Sequence, residues 1–420
     1  MKRIAFVAVV CLLMTSVVVA QDESASEENA PEIIFEYADG TPDEDRIEGR
    51  ITFDSLAFNR LITRVDPPLG ADRWVVEVDS ATGEFINVMS APVAAGNFKW
   101  HEGGYYSYSW SEPATMLEVQ ARLRGGDGVL VATLNASLVV TDDDLNEILH
   151  IGDIDMPLDG HELTFLPNGN FVFFSSQTMD IPDDFHRCLE PPCVLVYQNM
   201  HEMNLDGEIV QTWDLRDYYA PEDLPPSLNS DEYQPRAAGY PDAPEVVDHT
   251  HMNTITITPD GDLILGSRQF SDVMRLDYET GEIIWRIGGP DDPYNEFTFV
   301  DDPFGGFSNQ HLPTILPNGN LLLFDNGNAR DHMSTRVVEY ELDVENRIAR
   351  LVWSYAPPEG DYFAETRGSA QRLPDGNTLI NWVDRNPNNI EMVTPDGEVV
   401  LQITLPEHHS SYRALWYPPR

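Results

Sequence analysis

The stretch HLPTILPNGNL, residues 311–321, carries the motif that decides the fold, an apolar run leading into a Pro-Asn-Gly-Asn turn. Three other stretches share the pattern: HELTFLPNGNF at 161–171, NTITITPDGDL at 253–263 and GSAQRLPDGNT at 368–378. Asn-Gly or Asp-Gly between alternating apolar residues favours a tight hairpin turn, because Gly and Asn tolerate the positive φ that such turns require. Each of these stretches is therefore predicted to form a β-hairpin.

A second type of hairpin alternates with the first along the chain. Its copies are VVEVDSATGEFINV (75–88), VVTDDDLNEILHI (139–151), MNLDGEIVQTW (203–213), RLDYETGEIIWRI (275–287), YELDVENRIARLVW (340–353) and MVTPDGEVVLQI (392–403). Two hairpins per unit give a four-stranded sheet, and sheets that recur every ~40 to 50 residues or more are typical of a β-propeller. We therefore predict an all-β protein, a six-bladed β-propeller over residues 51–420.

The two ends of the chain are expected to meet in blade one. The hairpin at 75–88 has no clear partner hairpin before it, whereas SYRALWYPP at 411–419 has none after it. Joining the two would close the propeller with N- and C-terminal strands and hide the sheet edges.

The N-terminus carries features of export. Residues 1–20, MKRIAFVAVVCLLMTSVVVA, combine a basic start, an apolar centre and a Val-x-Ala end, which is typical of a secretory signal peptide. Residues 21–50 are acidic and rich in Ser, Glu, Pro and Asp, which favours a flexible leader. An exported protein, periplasmic or extracellular, is the prediction, and in that setting Cys188 and Cys193 of CLEPPC are expected to form a disulfide.

The charge balance limits the partners. The chain has 71 acidic against 25 basic residues, a formal net charge of −46. Such a surface repels nucleic acid and anionic membranes. No stretch after the signal peptide reaches the ~20 apolar residues needed to cross a bilayer, so no membrane span is predicted.

Equivalent positions of the repeats supply the candidate site. In a propeller the first strand of each blade lies nearest the central channel, so equivalent residues converge on one mouth. His161, Asn253 and His311 occupy the same position, seven residues before the turn Asn or Asp. His251 lies two residues before Asn253 and shares its face of the strand, and Arg268 is folded back beside both by the hairpin.

A scaffold role competes with a functional one at these positions. Repeat proteins retain a polar residue per repeat for strand or turn bonding, so His161, Asn253 and His311 alone fit a structural role. His251 and Arg268 occur in one copy only, which a purely structural repeat does not need. The cluster as a whole is therefore interpreted as functional.

These residues resemble the bacterial arylsulfotransferases. The matching segments are GHELTFLPNGN (160–170), DHTHMNTITITPDGDLILGSRQFSDVMRLDYETGEIIWRIGGP (248–290), FSNQHLPTILPNGNLLLFDNG (307–327) and SYRALWYPP (411–419), within a resemblance that extends from about Trp74 to the C-terminus. The resemblance implies a six-bladed propeller that moves a sulfuryl group from an aryl sulfate donor to a phenolic acceptor without a nucleotide sulfate donor. It also implies a transiently sulfated histidine at His311, with His161, His251, Asn253 and Arg268 completing the site.

The chemistry of sulfuryl transfer suits this set of residues. Like phosphoryl transfer, it passes through a loose transition state with charge on equatorial oxygens and on the leaving phenolate. A neutral imidazole at His311 is a competent nucleophile that splits the exchange into two ping-pong steps. Arg268 and the Asn253 amide are expected to bind the sulfate oxygens. His161 and His251 are both candidates for the general acid and base.

Two alternatives remain open at this stage. Three histidines near one axis also fit a zinc-dependent hydrolase, although the charge of Arg268 would repel a dication. His249 and His251 form an HxH pair, but one metal ion would need ligands from other blades as well. A non-catalytic propeller that binds ligands or proteins is the other alternative, because fold does not determine function. The favoured reading requires no cofactor and no metal, and it makes no prediction of oligomeric state.

Overall fold

The computed structural model describes most of the chain from residue 50 onward. The described residues are 34–37, 50–57, 73–80, 85–90, 96–111, 136–152, 156–188, 191–225, 245–358, 360, 362–383, 389–405 and 409–419. The predicted signal peptide, residues 1–20, lies outside them. No helix within these ranges is long and apolar enough to span a bilayer.

The described part of the chain is built from β-strands. In chain order they are β1 Ile34–Tyr37, β2 Arg50–Ala57, β3 Arg73–Asp79, β4 Phe85–Ser90, β5 Gly96–His101, β6 Tyr105–Ser111, β7 Ala136–Thr141, β8 Glu147–Ile151, β9 Leu158–Phe165, β10 Phe171–Asp180, β11 Cys193–Met203, β12 Ile209–Asp214, β13 Glu245–Asp248, β14 Met252–Ile257, β15 Leu263–Ser267, β16 Asp272–Leu276, β17 Ile283–Gly288, β18 Thr298–Val300, β19 His311–Ile315, β20 Leu321–Asp325, β21 Arg336–Asp343, β22 Ile348–Tyr355, β23 Ser369–Arg372, β24 Thr378–Trp382, β25 Asn389–Val393, β26 Val399–Thr404, β27 His409–Ser410 and β28 Ala414–Tyr417. Two short 3₁₀ helices, Leu215–Asp217 and Pro221–Asp223, follow β12.

The strands form five sheets in a β-propeller arrangement. The sheet orders are β27-β2-β3-β4 with β28 also on β2, β12-β11-β10-β9-β7-β6-β5 with β13 on β11 and β8 on β7, β14-β15-β16-β17, β18-β22-β21-β20-β19, and β1-β26-β25-β24-β23. Two strand pairs, β11 with β13 and β18 with β22, are parallel, and every other described pair is antiparallel. The all-β class and the propeller arrangement are therefore confirmed.

The prediction of six blades is wrong, because the described strands form five sheets. The physical reason is a contact that no local pattern reveals. Ala136 of β7 pairs with Leu158 of β9, and this pairing joins β5–β8 and β9–β13 into one nine-stranded sheet.

The ends of the chain meet as expected, with one addition. β2 pairs with β3 on one side and with the C-terminal β28 on the other, so the predicted closure by N- and C-terminal strands is confirmed. The acidic segment 21–50, expected to be a flexible leader, contributes β1, which pairs with β26.

The four Pro-Asn/Asp-Gly turns all connect paired antiparallel strands. They join β9 to β10, β14 to β15, β19 to β20 and β23 to β24. The turn glycines are Gly169, Gly261, Gly319 and Gly376, with φ between 87° and 96°. Such values strain any residue with a Cβ, so the local motif specifies these hairpins.

Apolar residues pack between neighbouring sheets, which sets the sheets around a common centre. Trp285 and Val273 of one sheet share a core cluster with Leu321 and Tyr340 of the next. The inner strands β9, β14, β19 and β23 each contact the next, and β23 contacts β28. The ring of inner strands brings the residues that begin β9, β14 and β19 toward one another.

Candidate functional site

The five predicted residues lie on or beside inner strands and the strand that follows β14. His161 lies in β9, Asn253 in β14 and His311 begins β19, while His251 directly precedes β14. Arg268 follows β15, and its backbone N–H donates to the His251 carbonyl at 3.1 Å. The predicted return of the arginine beside His251 is therefore present in the backbone.

The backbone at these strand starts is irregular. His251 has φ 46° and Leu312, which follows His311, has φ 47°. Register shifts occur between Met252 and Thr254 and between His311 and Thr314. Left-handed conformations and bulges cost free energy and redirect side chains, and they are concentrated at functional sites. Both strands therefore carry a left-handed residue and a register shift at or next to predicted site residues.

His161 and His251 form a pair of imidazoles held by carboxylates. Their ring centroids lie 4.8 Å apart with planes at 60°. Nδ1 of His161 donates to Asp159 Oδ1 at 2.6 Å, and Nδ1 of His251 donates to Asp248 Oδ2. The two imidazole side chains are 29% and 26% exposed, respectively. Because each Nδ1 faces a carboxylate, the Nε2 atoms are the ones left for a substrate.

Neighbouring charges change the pKa values of His161 and Asp248. Burial by itself lowers the pKa of His161, but the Asp159 charge and hydrogen bond and the Asp248 charge raise it overall above 6.5. Burial raises the pKa of Asp248, but the charge and hydrogen bond of His251 outweigh this effect. The pKa of Asp248 is therefore lowered to about 2. The carboxylates therefore favour the protonated form of His161.

Gln198 of β11 connects the two histidine-bearing segments. Its Nε2 donates to Asp159 Oδ2 at 2.7 Å, and its Oε1 accepts from the Met252 N–H at 2.6 Å and the Thr250 hydroxyl at 2.8 Å. The side chain is buried. A single amide therefore links the carboxylate partner of His161 to the segment that carries His251.

His311 has different partners from the other two histidines. Its Nδ1 lies 2.8 Å from Asn326 Oδ1, and its Nε2 accepts the Arg367 backbone N–H at 3.1 Å. The residue is 2% exposed. Burial is the main reason that the pKa of His311 lies well below its usual value, and the charges of Arg268, His251 and His161 act in the same direction. His311 is therefore a neutral imidazole at physiological pH.

Arg268 and Asn253 lie against the same region but are held by the backbone. Arg268 is 4% exposed, and its Nη2 donates to the Glu365 carbonyl at 3.3 Å. Asn253 Nδ2 donates to the carbonyl of Gln310, the residue before His311, at 2.7 Å. The Asn253 amide thus fixes the segment that carries His311, a contact that the sequence did not predict.

A buried ionic group underlies the site. Arg413 Nη1 contacts Glu162 Oε2 at 2.9 Å, and Lys99 Nζ donates to Glu162 Oε1. Arg413 Nη2 also donates to the Asn253 carbonyl at 3.4 Å. Burial is the largest influence on Lys99 and lowers its pKa to about 8. The C-terminal segment before β28 is thereby fastened to β9 and β14 beside His161 and Asn253.

Tyr412 joins the histidine pair to His311. Its ring centroid lies 6.1 Å from that of His161 and 6.3 Å from that of His311, in edge-on arrangements. His161 and His311 therefore both contact the Tyr412 ring, and His251 contacts His161.

Several contacts were missed from sequence. Asp159, Asp248, Gln198, Tyr412 and Asn326 were not among the five predicted site residues, although each contacts one of them or its partner. Two of them carry a local signal, because an acidic residue lies two positions before His161 and three before His251. The others approach from distant segments and carry none.

Two further observations concern the cysteines and possible metal ligands. Cys188 and Cys193 form the predicted disulfide, with Cα atoms 5.8 Å apart. Among the described residues, no group of three or more His, Cys, Asp or Glu side chains has the arrangement of a metal site.

A family model described as Arylsulfotransferase (ASST) matches residues 136–413 of the chain. This range contains all five predicted site residues and their partners described above. No curated protein matches the chain.

Solved structures with a related outline are distant. A Bacteroides caccae protein of unknown function has a TM-score of 0.48 at 12% identity, covering 89% of this chain and 100% of its own. A Lactobacillus plantarum protein has a TM-score of 0.39 at 12% identity, covering 86% and 82%. A catalytically inactive virginiamycin B lyase from Staphylococcus aureus has a TM-score of 0.37 at 9% identity, covering 89% and 100%. At these scores the likeness carries no argument about function.

Proposed function

The chain belongs to the arylsulfotransferase family, a family of sulfotransferase enzymes, and from this premise we propose the reaction and the residues that perform it. The proposed activity moves a sulfuryl group from a phenolic sulfate ester to a phenolic acceptor, by a ping-pong mechanism through a sulfated His311 and without a nucleotide sulfate donor. The observation that carries the proposal is the hydrogen bonding of His311, which donates at Nδ1 and accepts at Nε2.

The first half-reaction uses the lone pair of His311 Nε2. This atom attacks the donor sulfur, an N–S bond forms, and the S–O bond breaks with its electron pair going to the phenolate oxygen. The Nδ1 proton stays in place against Asn326, so the sulfated imidazole carries a positive charge. The Arg367 N–H, which loses the lone pair as its acceptor, is then available to a sulfuryl oxygen.

The departing phenolate requires a proton, and the carboxylate-held pair is suited to supply it. His161 has a raised pKa, and its Nε2 is left free by the Nδ1 bond to Asp159. We assign the proton donation to His161, with His251 as the adjacent imidazole 4.8 Å away. In the second half-reaction the phenolic acceptor attacks sulfur, the N–S electron pair returns to Nε2, and the acceptor's proton passes to the now neutral pair.

Arg268 supplies fixed positive charge for the transferring group. Burial is the largest cause of the lowered pKa of His311, and the charge of Arg268 lowers that pKa further. A guanidinium in a buried site stabilises developing negative charge on sulfuryl oxygens more strongly than it would in water. Asn253, whose amide bonds to the Gln310 carbonyl, is proposed to keep the nucleophile in line with this charge.

We further propose that the protein is exported, and that residues 1–20 form a cleaved signal peptide. The Cys188–Cys193 disulfide supports an oxidising compartment, because such bonds do not persist in most reducing cytosols.

The experiment mixes purified, metal-stripped protein with 4-nitrophenyl sulfate, with and without phenol, and follows nitrophenolate release. Release that depends on phenol, together with mass spectrometry that finds one sulfuryl group on His311, is the expected result. No release would favour a non-catalytic propeller, and release restored only by zinc would favour a metal-dependent hydrolase; either result contradicts the proposal.

A further inference from the structure

Asn326 contacts both His311 and the neighbouring segment 364–367. It follows β20, is fully buried, and its amide is engaged on both ends. Nδ2 donates to the Ala364 carbonyl at 2.9 Å and to the Arg367 carbonyl at 3.1 Å. Oδ1 lies 2.8 Å from His311 Nδ1. One amide therefore touches both the proposed nucleophile and the segment 364–367 that crosses it.

The two carbonyl partners determine the orientation of the amide. Carbonyl oxygens only accept hydrogen bonds, so the atom that faces Ala364 and Arg367 must be the NH₂ group. Oδ1 must then face His311, and since it also only accepts, the proton of the neutral imidazole must reside on Nδ1. The amide cannot flip without losing three hydrogen bonds.

An independent contact requires the same tautomer. The Arg367 backbone N–H donates to His311 Nε2 at 3.1 Å, so Nε2 must carry a lone pair. Arg367 holds this position with φ 65°, a left-handed conformation that costs free energy in a residue with a Cβ. The backbone strain at Arg367 is tolerated where Asn326 binds its carbonyl.

The partner of His311 is neutral, and this matters for the covalent intermediate. Sulfation of Nε2 leaves Nδ1 protonated, so the imidazolium ring of the intermediate carries a positive charge. A carboxylate at Asn326 would stabilise that cation and would also favour protonation of the free imidazole. A neutral amide does neither, yet it accepts the same hydrogen bond. The amide therefore holds the reactive tautomer without stabilising the covalent intermediate, so the N–S bond stays easy to break.

We propose that Asn326 is a positioning residue for sulfuryl transfer, which fixes the Nδ1–H tautomer of His311 and holds segment 364–367 against Nε2. The proposal rests on the proposed function of His311. The titratable groups that act on or contact this imidazole are Arg268 after β15, His251 before β14, His161 in β9 and Tyr412 before β28, and the backbone N–H of Arg367 contacts Nε2. All of these stay unchanged in the test.

The test compares three variants by the burst of nitrophenolate and its pH profile. Asn326→Leu removes the acceptor for Nδ1–H and also the amide that holds the Arg367 carbonyl, so the Nε2–H tautomer becomes populated and the burst rate falls. A loss of about 10- to 100-fold is expected, as for other partners that orient a functional imidazole. Asn326→Asp retains an acceptor but adds charge, so the acid limb of the profile moves up by about one to three pH units.

Asn328→Leu is the matched control. Asn328 Nδ2 donates to the Glu365 carbonyl at 3.0 Å, so this variant loosens the same segment without touching His311. It is expected to lower the melting temperature and to leave the acid limb of the profile in place. If Asn326→Asp also leaves the acid limb in place, Asn326 is a structural residue and the proposal is overturned.

A direct measurement covers variants that do not fold. Nitrogen NMR of ¹⁵N-histidine-labelled wild-type protein, with the His311 signals assigned by their loss in His311→Gln, reports which ring nitrogen is protonated. Protonated Nδ1 with bare Nε2 supports the proposal, and the reverse tautomer overturns it. Wild-type protein that never sulfates His311 would overturn the proposed function itself, whereas sulfated wild type with indifferent Asn326 variants would overturn this inference alone.

Discussion

His311 and the His161–His251 pair lie in the same site but in opposite electrostatic settings. His311 is 2% exposed and its Nδ1 faces an amide, whereas the paired imidazoles are 29% and 26% exposed and face carboxylates. The pKa of His311 is lowered by burial, while the pKa of His161 is raised by Asp159 despite burial. The same residue type is therefore proposed to act as a neutral nucleophile in one setting and as a proton carrier in the other, because the charge of the partner differs.

The largest effect is expected from removing the neutral member. His311→Ala should lower nitrophenolate release by on the order of 10⁴-fold or more and abolish the sulfated protein, since loss of a covalent nucleophile removes the step itself. The burst assay and mass spectrometry measure both.

His201→Gln is the matched control for His311→Ala. His201 is also buried, lies between the hydroxyls of Ser175 and Thr212, and has its pKa lowered to about 4 by burial. This variant should retain the burst. Equal losses in both variants would mean that a buried neutral imidazole matters only for folding.

Asp159→Asn tests the carboxylate-held member. Asp159 raises the pKa of His161, so the protonated form that can act as an acid persists to a higher pH in wild type than in the variant. The variant should therefore lose activity from a lower pH upward. The leaving group of phenyl sulfate is phenolate, which departs poorly without a proton. With this donor, kcat at neutral pH should fall about 100-fold, the lower end of what general acid catalysis contributes. With 4-nitrophenyl sulfate the loss should be smaller, because nitrophenolate needs less protonation.

Asp142→Asn provides the reference for that profile. Asp142 also has a lowered pKa, but its hydrogen bonds are to Asn146 and Asp144 in the exposed β7–β8 turn. An unchanged alkaline limb in Asp159→Asn would remove His161 as the acid.

Gln198→Leu should separate the two paired histidines without touching either. It leaves Asp159 Oδ2, the Thr250 hydroxyl and the Met252 N–H without this partner, so kcat should fall about 10-fold. Gln371→Leu removes a similar amide, which bonds both the N–H and the carbonyl of Trp416 away from the histidines. Comparable melting temperatures with kcat lowered only in Gln198→Leu would support a linking role; equal kcat values would contradict it.

The smallest effect on activity is expected at Asp292, where only stability should change. Here the partner of a titratable group is a like charge, because the Asp292 carboxyl lies beside Asp272. Burial, and then the charge of Asp272, raises the pKa of Asp292 to about 8. An acid with a raised folded-state pKa stabilises the fold fully below its unfolded pKa of about 3.9, and this contribution is lost as pH rises through about 8. Asp292→Asn should therefore gain melting temperature relative to wild type as pH rises from about 4 to 8. A constant difference across that range would contradict the assignment.

The hairpins and their turns could be predicted because their cause is local. A Pro-Asn/Asp-Gly motif demands positive φ at Gly169, Gly261, Gly319 and Gly376, and the structure has it at each. The repeat spacing then gave His161, Asn253 and His311 equivalent positions. The separation of blades could not be predicted, because the pairing of Ala136 with Leu158 depends on how two hairpin groups approach in space.

By itself, the sequence determined the propeller arrangement, the closure of its ends, the disulfide and the histidines near one centre, since turn chemistry and repeat position act over a few residues. Only the tertiary structure decided which partner each imidazole receives. Asn326 is 15 residues from His311, Arg367 is 56 residues away, and Gln198 is 54 residues from Met252. Proton affinity depends on charge and burial within a few ångströms, and those distances are set by folding rather than by spacing along the chain.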